Sequence, residues 1–323
     1  MERVRCLGCW SALGDAEVAV RPVKELVEEL HLGEGRTNQN FIVDCGSRRF
    51  FVRLGADLPF FGVNRQREQA AARAAEAVGL GPAVRHAEAD VMVVDFVDES
   101  RALTEEDLHA ACDGTDGSLL KALGLALRRM HETPVPEELE AFLTAVGGST
   151  VGWGGPHLAQ WLHYAEEQNY SRLPLLPGLR DLIAELESVA GSLEPNRFCH
   201  FDLLADNLVL RSDGTIFLVD FEYAAPGQPL MDLAVLAMGC NLTPKEEGHL
   251  LSAYLNHEAT PMELVRFKAL RVLAALRETF WGVTAELSQS SALSDEEARS
   301  YTDMNFQKFL ELREDFHRAD RSA

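Results

Sequence analysis

No stretch of the 323-residue chain approaches the roughly 18 consecutive apolar residues that a membrane-crossing helix needs. The opening decapeptide, MERVRCLGCW, also lacks an apolar run of signal-peptide length. The expectation is therefore a soluble, cytoplasmic protein with no membrane partner. Basic residues are scarce: 30 Lys and Arg stand against 51 Asp and Glu, a formal net charge of −21. Such a surface repels nucleic acid and anionic membranes and favours small cationic ligands. The six cysteines (Cys6, Cys9, Cys45, Cys112, Cys199 and Cys240) are scattered, which is not a disulfide framework. Cys6-x-x-Cys9 is half of a zinc-ribbon spacing, and no second pair completes four ligands. Internal repeats and low-complexity tracts are absent as well.

The composition that remains, 46% hydrophobic and 25% charged, is that of a globular chain. Single cores stop growing at roughly 250–300 residues, so two domains are expected. Residues 1–97 read as a small strand-rich domain. Phe41-Ile42-Val43 and Phe50-Phe51-Val52 flank a Cys45-Gly46-Ser47 turn, which predicts an antiparallel pair. The Ala-, Glu- and Arg-rich residues 64–78 predict a helix ended by Gly79-x-Gly81-Pro82, and Val91–Val94 predicts a short buried strand. Residues 98–323 read as mostly helical. Leu120, Leu123, Leu127 and Met130 form an apolar stripe at helical spacing. Thr243-Pro-Lys-Glu246 and Thr260-Pro-Met-Glu263 each combine an N-cap threonine, proline at the first helical position and a capping-box glutamate. A polar hairpin interrupts the helices, Leu208–Leu210 and Ile216–Val219 around Ser212-Asp213-Gly214. In such surroundings a hairpin of this kind points to a site.

Around that hairpin the chain reads His200-Phe201-Asp202-x4-Asn207, then Asp220-Phe221-Glu222. Phosphoryl transfer from ATP needs a carboxylate to orient and deprotonate the acceptor hydroxyl, and oxygen ligands to hold Mg²⁺ on the phosphates. The His-x-Asp-x4-Asn spacing, with Asp220 closing the second hairpin strand, is that of a protein-kinase catalytic loop and its metal-binding aspartate. Asp202 is the expected base, Asn207 and Asp220 the expected Mg²⁺ ligands, and His200 a structural brace. Upstream, Gly33-Glu34-Gly35-Arg36-Thr37-Asn38 precedes a strand as a phosphate-covering loop does, with Gly33, Gly35, Thr37 and Asn38 as its candidate contacts. Arg53 on the next strand and Glu68 on the following helix are candidates for the cation–glutamate pair that holds the α- and β-phosphates.

Four stretches together resemble the choline/ethanolamine kinase branch of the aminoglycoside-phosphotransferase-like superfamily: GEGRTNQNFIV with FFVRLG, VNRQREQAA, FCHFDLLADNLVL, and FLVDFEYAAPGQPLMDLA. LRETFWGVTAELS with YTDMNFQKF also resembles the C-terminal end of bacterial choline kinase-like proteins, so the likeness runs from about Leu26 to about Leu312. The resemblance implies an α+β, two-lobed protein-kinase-like fold, with a small antiparallel N-lobe and a larger helical C-lobe. It implies ATP and Mg²⁺ as cofactors, adenine held by backbone groups near Asp95, Phe96 and Val97, and phosphorylation of the hydroxyl of a small cationic alcohol, choline or ethanolamine first. Glu222, Tyr223, Glu278 and Trp281 are the substrate-binding residues it implies, through cation–π attraction and charge. Three positions depart from the family pattern. Phe201 stands where Asn or Gly is usual, Gly239 stands roughly where eukaryotic choline kinases have a pocket glutamate, and Glu278 stands where many relatives have a second tryptophan. Thiamine, an aminoglycoside or another amino-alcohol stay open as acceptors, as does a non-catalytic ATP-binding pseudokinase. A homodimer is compatible with this reading.

Overall fold

The structure, a computed structural model, describes residues 1–10, 18–23, 38–113, 118–145, 157–173, 178–191, 197–288 and 293–320. It divides into two compact units, Met1–Thr104 with Ala205–Tyr223, and Glu105–Leu204 with Ala224–Ala323.

The first unit is built on a five-stranded antiparallel sheet in the order β1-β2-β3-β5-β4. A single-turn helix α1 (Glu2–Arg5) leads into β1 (Val18–Pro22), β2 (Gln39–Cys45) and β3 (Arg48–Leu54). The β2–β3 pairing sets Phe41 opposite Val52 and Cys45 opposite Arg48, around Gly46 at a φ of +62°. This is the hairpin expected from the turn chemistry, with glycine where the backbone turns left-handed. Alternation along β2 sends Phe41, Val43 and Cys45 into one core, with Val4, Leu7, Trp10, Phe50 and Val93, while Ile42 packs with Val23 on the other face. Helix α2 (Arg65–Ala77) follows, its N-cap Asn64 accepting from Arg67 N–H, with Ala71, Ala72 and Ala75 buried. The strands β4 (Val84–Glu88) and β5 (Val91–Asp95) complete the sheet.

Strand β6 (Ser100–Ala102) pairs with a strand contributed from far along the chain, β8 (Leu208–Arg211), placing Ala102 opposite Val209. Sequence reading places one cut after Val97. The compact units instead return residues 205–223 to the first, because this pairing, and Leu103 N–H donating to Leu208 O at 2.8 Å, tie the hairpin there.

The second unit contains α3 (Glu105–Asp113), α4 (Ser118–Glu132), α5 (Glu137–Ala145), α6 (His157–Glu167) and α7 (Leu179–Ala190). A short antiparallel pair follows, β7 (Arg197–Cys199) with β10 (Ala225–Gly227), while β9 (Ile216–Leu218) lies with β8 in the first unit. The unit ends with α8 (Pro229–Gly239), α9 (Pro244–Leu255), α10 (Pro261–Leu287) and α11 (Asp295–Asp320). Both expected capping boxes form, at Thr243–Glu246 and Thr260–Glu263. The stripe Leu120, Leu123, Leu127 and Met130 is fully buried on α4. No helix among the described residues is long and apolar enough to cross a membrane, and the described cysteines Cys6, Cys9, Cys45, Cys199 and Cys240 are free thiols.

Gly124 lets α4 approach the backbone of α9. A β-carbon there would meet Leu250 O at 2.7 Å and Tyr254 N at 3.1 Å. Alanine ordinarily gains up to about 1 kcal/mol over glycine inside a helix. Here overpacking of about 1–3 kcal/mol is expected to outweigh that gain. Gly124→Ala should therefore lower the urea midpoint, and a raised midpoint would show that the two helices do not approach this closely.

Candidate active site

In the first unit, two arginines meet three carboxylates, and a third arginine binds backbone oxygens beside them. Arg53, on β3, donates through one terminal nitrogen both to Glu68 Oε1 and, at 2.6 Å, to Asp220 Oδ1. Arg65 donates to Glu68 Oε2 at 2.7 Å and to Glu222 Oε2 at 3.1 Å, and Asn38 donates to the same Glu222 oxygen at 3.2 Å. Arg67 donates to the backbone oxygens of Gly62 and Glu222 at 2.5 and 3.0 Å. Local sequence explains the assembly: once Asn64 caps α2, the first turn carries Arg65, Arg67 and Glu68 on its buried side.

Burial opposes the charge on Arg53, but Asp220, Glu68 and Glu222 outweigh it and hold the guanidinium protonated well above its ordinary range. Burial pushes Arg67 down to about 10, so it too remains a cation at neutral pH. The expected Arg53–Glu68 pair thus exists as a buried ion pair, while the Asp220 side chain retains 23% exposure. Asp220 adopts a φ of +64°, and the neighbouring Val219 N–H donates to Asn207 O at 3.0 Å, which ties the end of β9 to the single 3₁₀ turn Ala205–Asn207. Sequence reading assigns Glu222 to the substrate. In the structure its Oε2 is held inside the arginine cluster, with the buried Tyr223 beside it in the chain. Arg65 and Arg67 escape a reading of the sequence alone, although two arginines flanking Gln66 at a helix start, just before Glu68, are a readable signal.

In the second unit, the turn after β7 carries Asp202. His200 is fully buried, and its Nδ1 accepts from Asp202 N–H at 3.3 Å, a bracing role of the kind expected. Leu204 N–H donates to Asp202 O at 2.9 Å and tightens the turn. Phe201 between them has a φ of +62°. For a bulky residue this left-handed backbone costs about 1–2 kcal/mol, so something must hold it. That something is Asp232 on α8, which accepts from His200 N–H through Oδ2 and from Phe201 N–H through Oδ1, each at 2.7 Å. Sequence reasoning passes over Asp232. The available signal is a lone acid in the otherwise apolar helix PLMDLAVLAMG.

Also in this unit, α10 carries Glu278 and Trp281, and α11 meets them with Tyr301. The Tyr301 hydroxyl donates to Glu278 Oε2 at 2.6 Å, Arg277 donates to Glu278 Oε1 at 2.7 Å, and the Trp281 and Tyr301 rings stand edge to face with centroids 5.1 Å apart. Both Glu278 oxygens therefore have partners, one of them a cation.

Gly33, Gly35 and Thr37 lie outside the described residues. Asp95 ends β5 with its carboxylate paired to Arg48 and Arg85, which hold it below the usual carboxylate range against the upward push of burial. Backbone N–H groups of Asp95 and Phe96 donate to Ala83 O and Arg49 O at 2.9 and 3.0 Å, and Val97 O accepts from the Ser100 hydroxyl.

An antiparallel sheet whose strand cation pairs with a helix glutamate, together with a helical unit carrying a His-x-Asp turn, is the architecture of kinase-like phosphotransferases. The chain belongs to the Phosphotransferase enzyme family, whose model matches residues 30–267. It is 23% identical over 232 residues to Protein LicA of Haemophilus influenzae, covering 69% of this chain and 61% of that one. The chain thus spans about three fifths of that relative's length. The structure is similar to that of a choline/ethanolamine kinase family protein from Mesorhizobium loti, with a TM-score of 0.70, 24% identity, and 98% and 95% of the two chains covered. It is similar also to an ethanolamine kinase of Plasmodium vivax, with a TM-score of 0.71, 18% identity, and 91% and 82% covered. At these identities the likeness to the two structures is one of fold.

Proposed function

We propose that the protein transfers the γ-phosphoryl group of ATP to the hydroxyl of a small cationic amino-alcohol, with choline or ethanolamine first among acceptors. The observation that carries this reading is Arg53, a buried cation kept charged by Glu68 and Asp220, as a group that must neutralise nucleotide phosphates requires. Asp202 acts as base: it orients the acceptor hydroxyl and takes its proton as the oxygen attacks in line.

Asn207 and Asp220 offer hard oxygen donors, the chemistry Mg²⁺ accepts, and Asp220 is the carboxylate of the arginine cluster that keeps partial exposure. They fit such an ion and would hold it. When bound it supplies charge neutralisation on the phosphate oxygens. Asn38 would meet the phosphates, and backbone groups around Asp95 and Val97 would receive the adenine. Glu222 positions Arg65, and thereby Glu68, rather than meeting the acceptor. On the acceptor side, the ring faces of Trp281 and Tyr301, with Glu278 beside them, suit an ammonium group, and the net charge of −21 favours its approach. The names borne by the relatives, choline/ethanolamine kinase and ethanolamine kinase, agree with this acceptor class.

Mg²⁺-dependent ADP release measured against choline, ethanolamine, thiamine and an aminoglycoside tests the proposal. Stimulation by choline or ethanolamine is the expected outcome. Stimulation only by another acceptor would keep the reaction and discard the substrate, and silence throughout with nucleotide binding intact would favour a non-catalytic ATP-binding protein.

A further inference from the structure

Inside the second unit, the start of α9, the first half of α10 and the end of α11 leave a cleft of about 420 Å³ between them. Leu312, Phe316 and Pro244 give it apolar surface, the first two being buried side chains. Its charged groups are Lys268, Arg271 and Arg318, set with Glu247 and Asp315. Three cations thus stand with two carboxylates in a chain whose formal charge is −21, so the cleft reverses the sign of the molecule around it. None of these residues is among those assigned to the nucleotide, the metal or the acceptor.

The three cations are not equally engaged. Arg318 is exposed and pairs along its own helix, with Glu314 at 2.9 Å and Asp315 at 3.6 Å. Arg271 lies deeper. Among the described residues Glu247 is its one ion-pair partner, and Arg271 Nε is buried with no hydrogen-bond partner. Burial pulls this guanidinium below its ordinary range in spite of Glu247 and Asp315. Burial likewise pushes the Glu247 carboxyl up in spite of Arg271 and Lys268. Lys268 stands one turn before Arg271, on the same face of α10, and forms no ion pair among the described residues. The cleft therefore offers an unused guanidinium N–H, an unpaired ammonium one turn away, and an apolar wall.

We propose that this cleft binds a small organic monoanion, a carboxylate carried on an aromatic or short aliphatic body. Lys268 meets the carboxylate, the unused N–H of Arg271 adds a hydrogen bond, and the body lies against Leu312 and Phe316. One excess positive charge favours one negative charge on the ligand, and the volume falls within the range of small-molecule sites. An inorganic anion would leave the apolar wall in water, and a neutral body would leave Lys268 without a partner. The site stands apart from the phosphoryl-transfer reading and does not depend on it.

Titration of the full chain with phenylacetate, followed by ligand-observed NMR, is the direct test. Acetate, inorganic phosphate and the uncharged phenylacetamide are the contrasts. Saturable binding of phenylacetate is expected with a Kd of ~0.2–5 mM, the range open to a ligand of about ten non-hydrogen atoms, and each contrast should bind at least ~10-fold more weakly. Lys268→Gln should weaken phenylacetate ~5–10-fold, and Asp315→Asn, which removes a like charge, should strengthen it ~2–3-fold. Asp315 is exposed and Lys268 half-buried, so both variants should keep the fold. Binding should persist with ADP and choline present.

Absence of phenylacetate binding, or equal binding in Lys268→Gln, would overturn the site. Displacement by ADP or choline would do the same, by moving the ligand to the residues of the reaction. Equal affinity for phosphate or for phenylacetamide would also overturn it, because recognition would then need either the charge or the apolar wall but not both.

Discussion

Asp202→Asn is expected to lower turnover by about 10²–10⁴-fold, the range a general base contributes, while nucleotide affinity stays within about twofold. Asparagine preserves size and can hydrogen-bond the acceptor, but it cannot take a proton, so the variant separates orientation from proton transfer. The backbone around it should not move. The N–H of Asp202 donates to His200 Nδ1 and its C=O accepts from Leu204, and neither bond involves the side chain. Single-turnover ADP formation with a titration of nucleotide binding checks this. A variant that keeps more than a tenth of the turnover would remove Asp202 from the base role. A variant that loses nucleotide binding in step with turnover would make Asp202 a contributor to nucleotide binding.

The second large effect concerns Arg53. Arg53→Met should cost about 3–5 kcal/mol of stability, toward the lower figure, and abolish phosphoryl transfer, because removing one partner of a buried ion pair leaves an uncompensated charge behind. Here Glu68, only 1% exposed, loses one of two cations but keeps Arg65, while Asp220 is exposed enough for water to take over part of the solvation. Arg53→Lys provides the contrast. Exchanging arginine for lysine is often severe because the planar fork is lost. Both of these bonds, however, leave one guanidinium nitrogen, so a single ammonium can serve both carboxylates. Lysine should hold stability within about 1 kcal/mol and retain most of the activity, since the charge that offsets the buried carboxylates is kept. Urea denaturation of both variants, with turnover measured alongside, checks the pair of expectations. Equal destabilisation by methionine and lysine would mean that the fork, not the charge, organises the cluster.

Local chemistry explains how much of the fold and the site is legible in the sequence. The β2–β3 hairpin rests on alternation and one glycine turn, and the capping boxes rest on residues three apart, so each is decided within a short window. The candidate catalytic turn can be proposed from sequence because its residue types lie close together in the chain: His200, Asp202 and Asn207, with Asp220 at the end of the next hairpin. Arg53 and Glu68 are legible as a pair because strand and helix follow one another directly. The partners of Glu222 are not legible, because nothing local says that its carboxylate turns toward Arg65 and Asn38. Asp232 is invisible for a related reason. It serves amides 31 and 32 residues earlier, and an acid on an apolar helix acquires meaning only from what packs against it.

The sequence by itself determined the β2–β3 hairpin, the helix α2, the capped starts of α9 and α10, the spacing of the candidate phosphoryl-transfer residues and the sign of the surface charge. All of these depend on side-chain period, on turn and cap chemistry, or on simple sums. Tertiary structure alone decided that residues 205–223 return to the first unit, that Arg65 and Arg67 close a cluster around Glu68 and Glu222, and that Asp232 stands behind the strained Phe201. Hydrogen bonds and ion pairs are short-ranged and directional. Which partners satisfy a buried charge is therefore settled only when packing brings together elements that the chain keeps far apart.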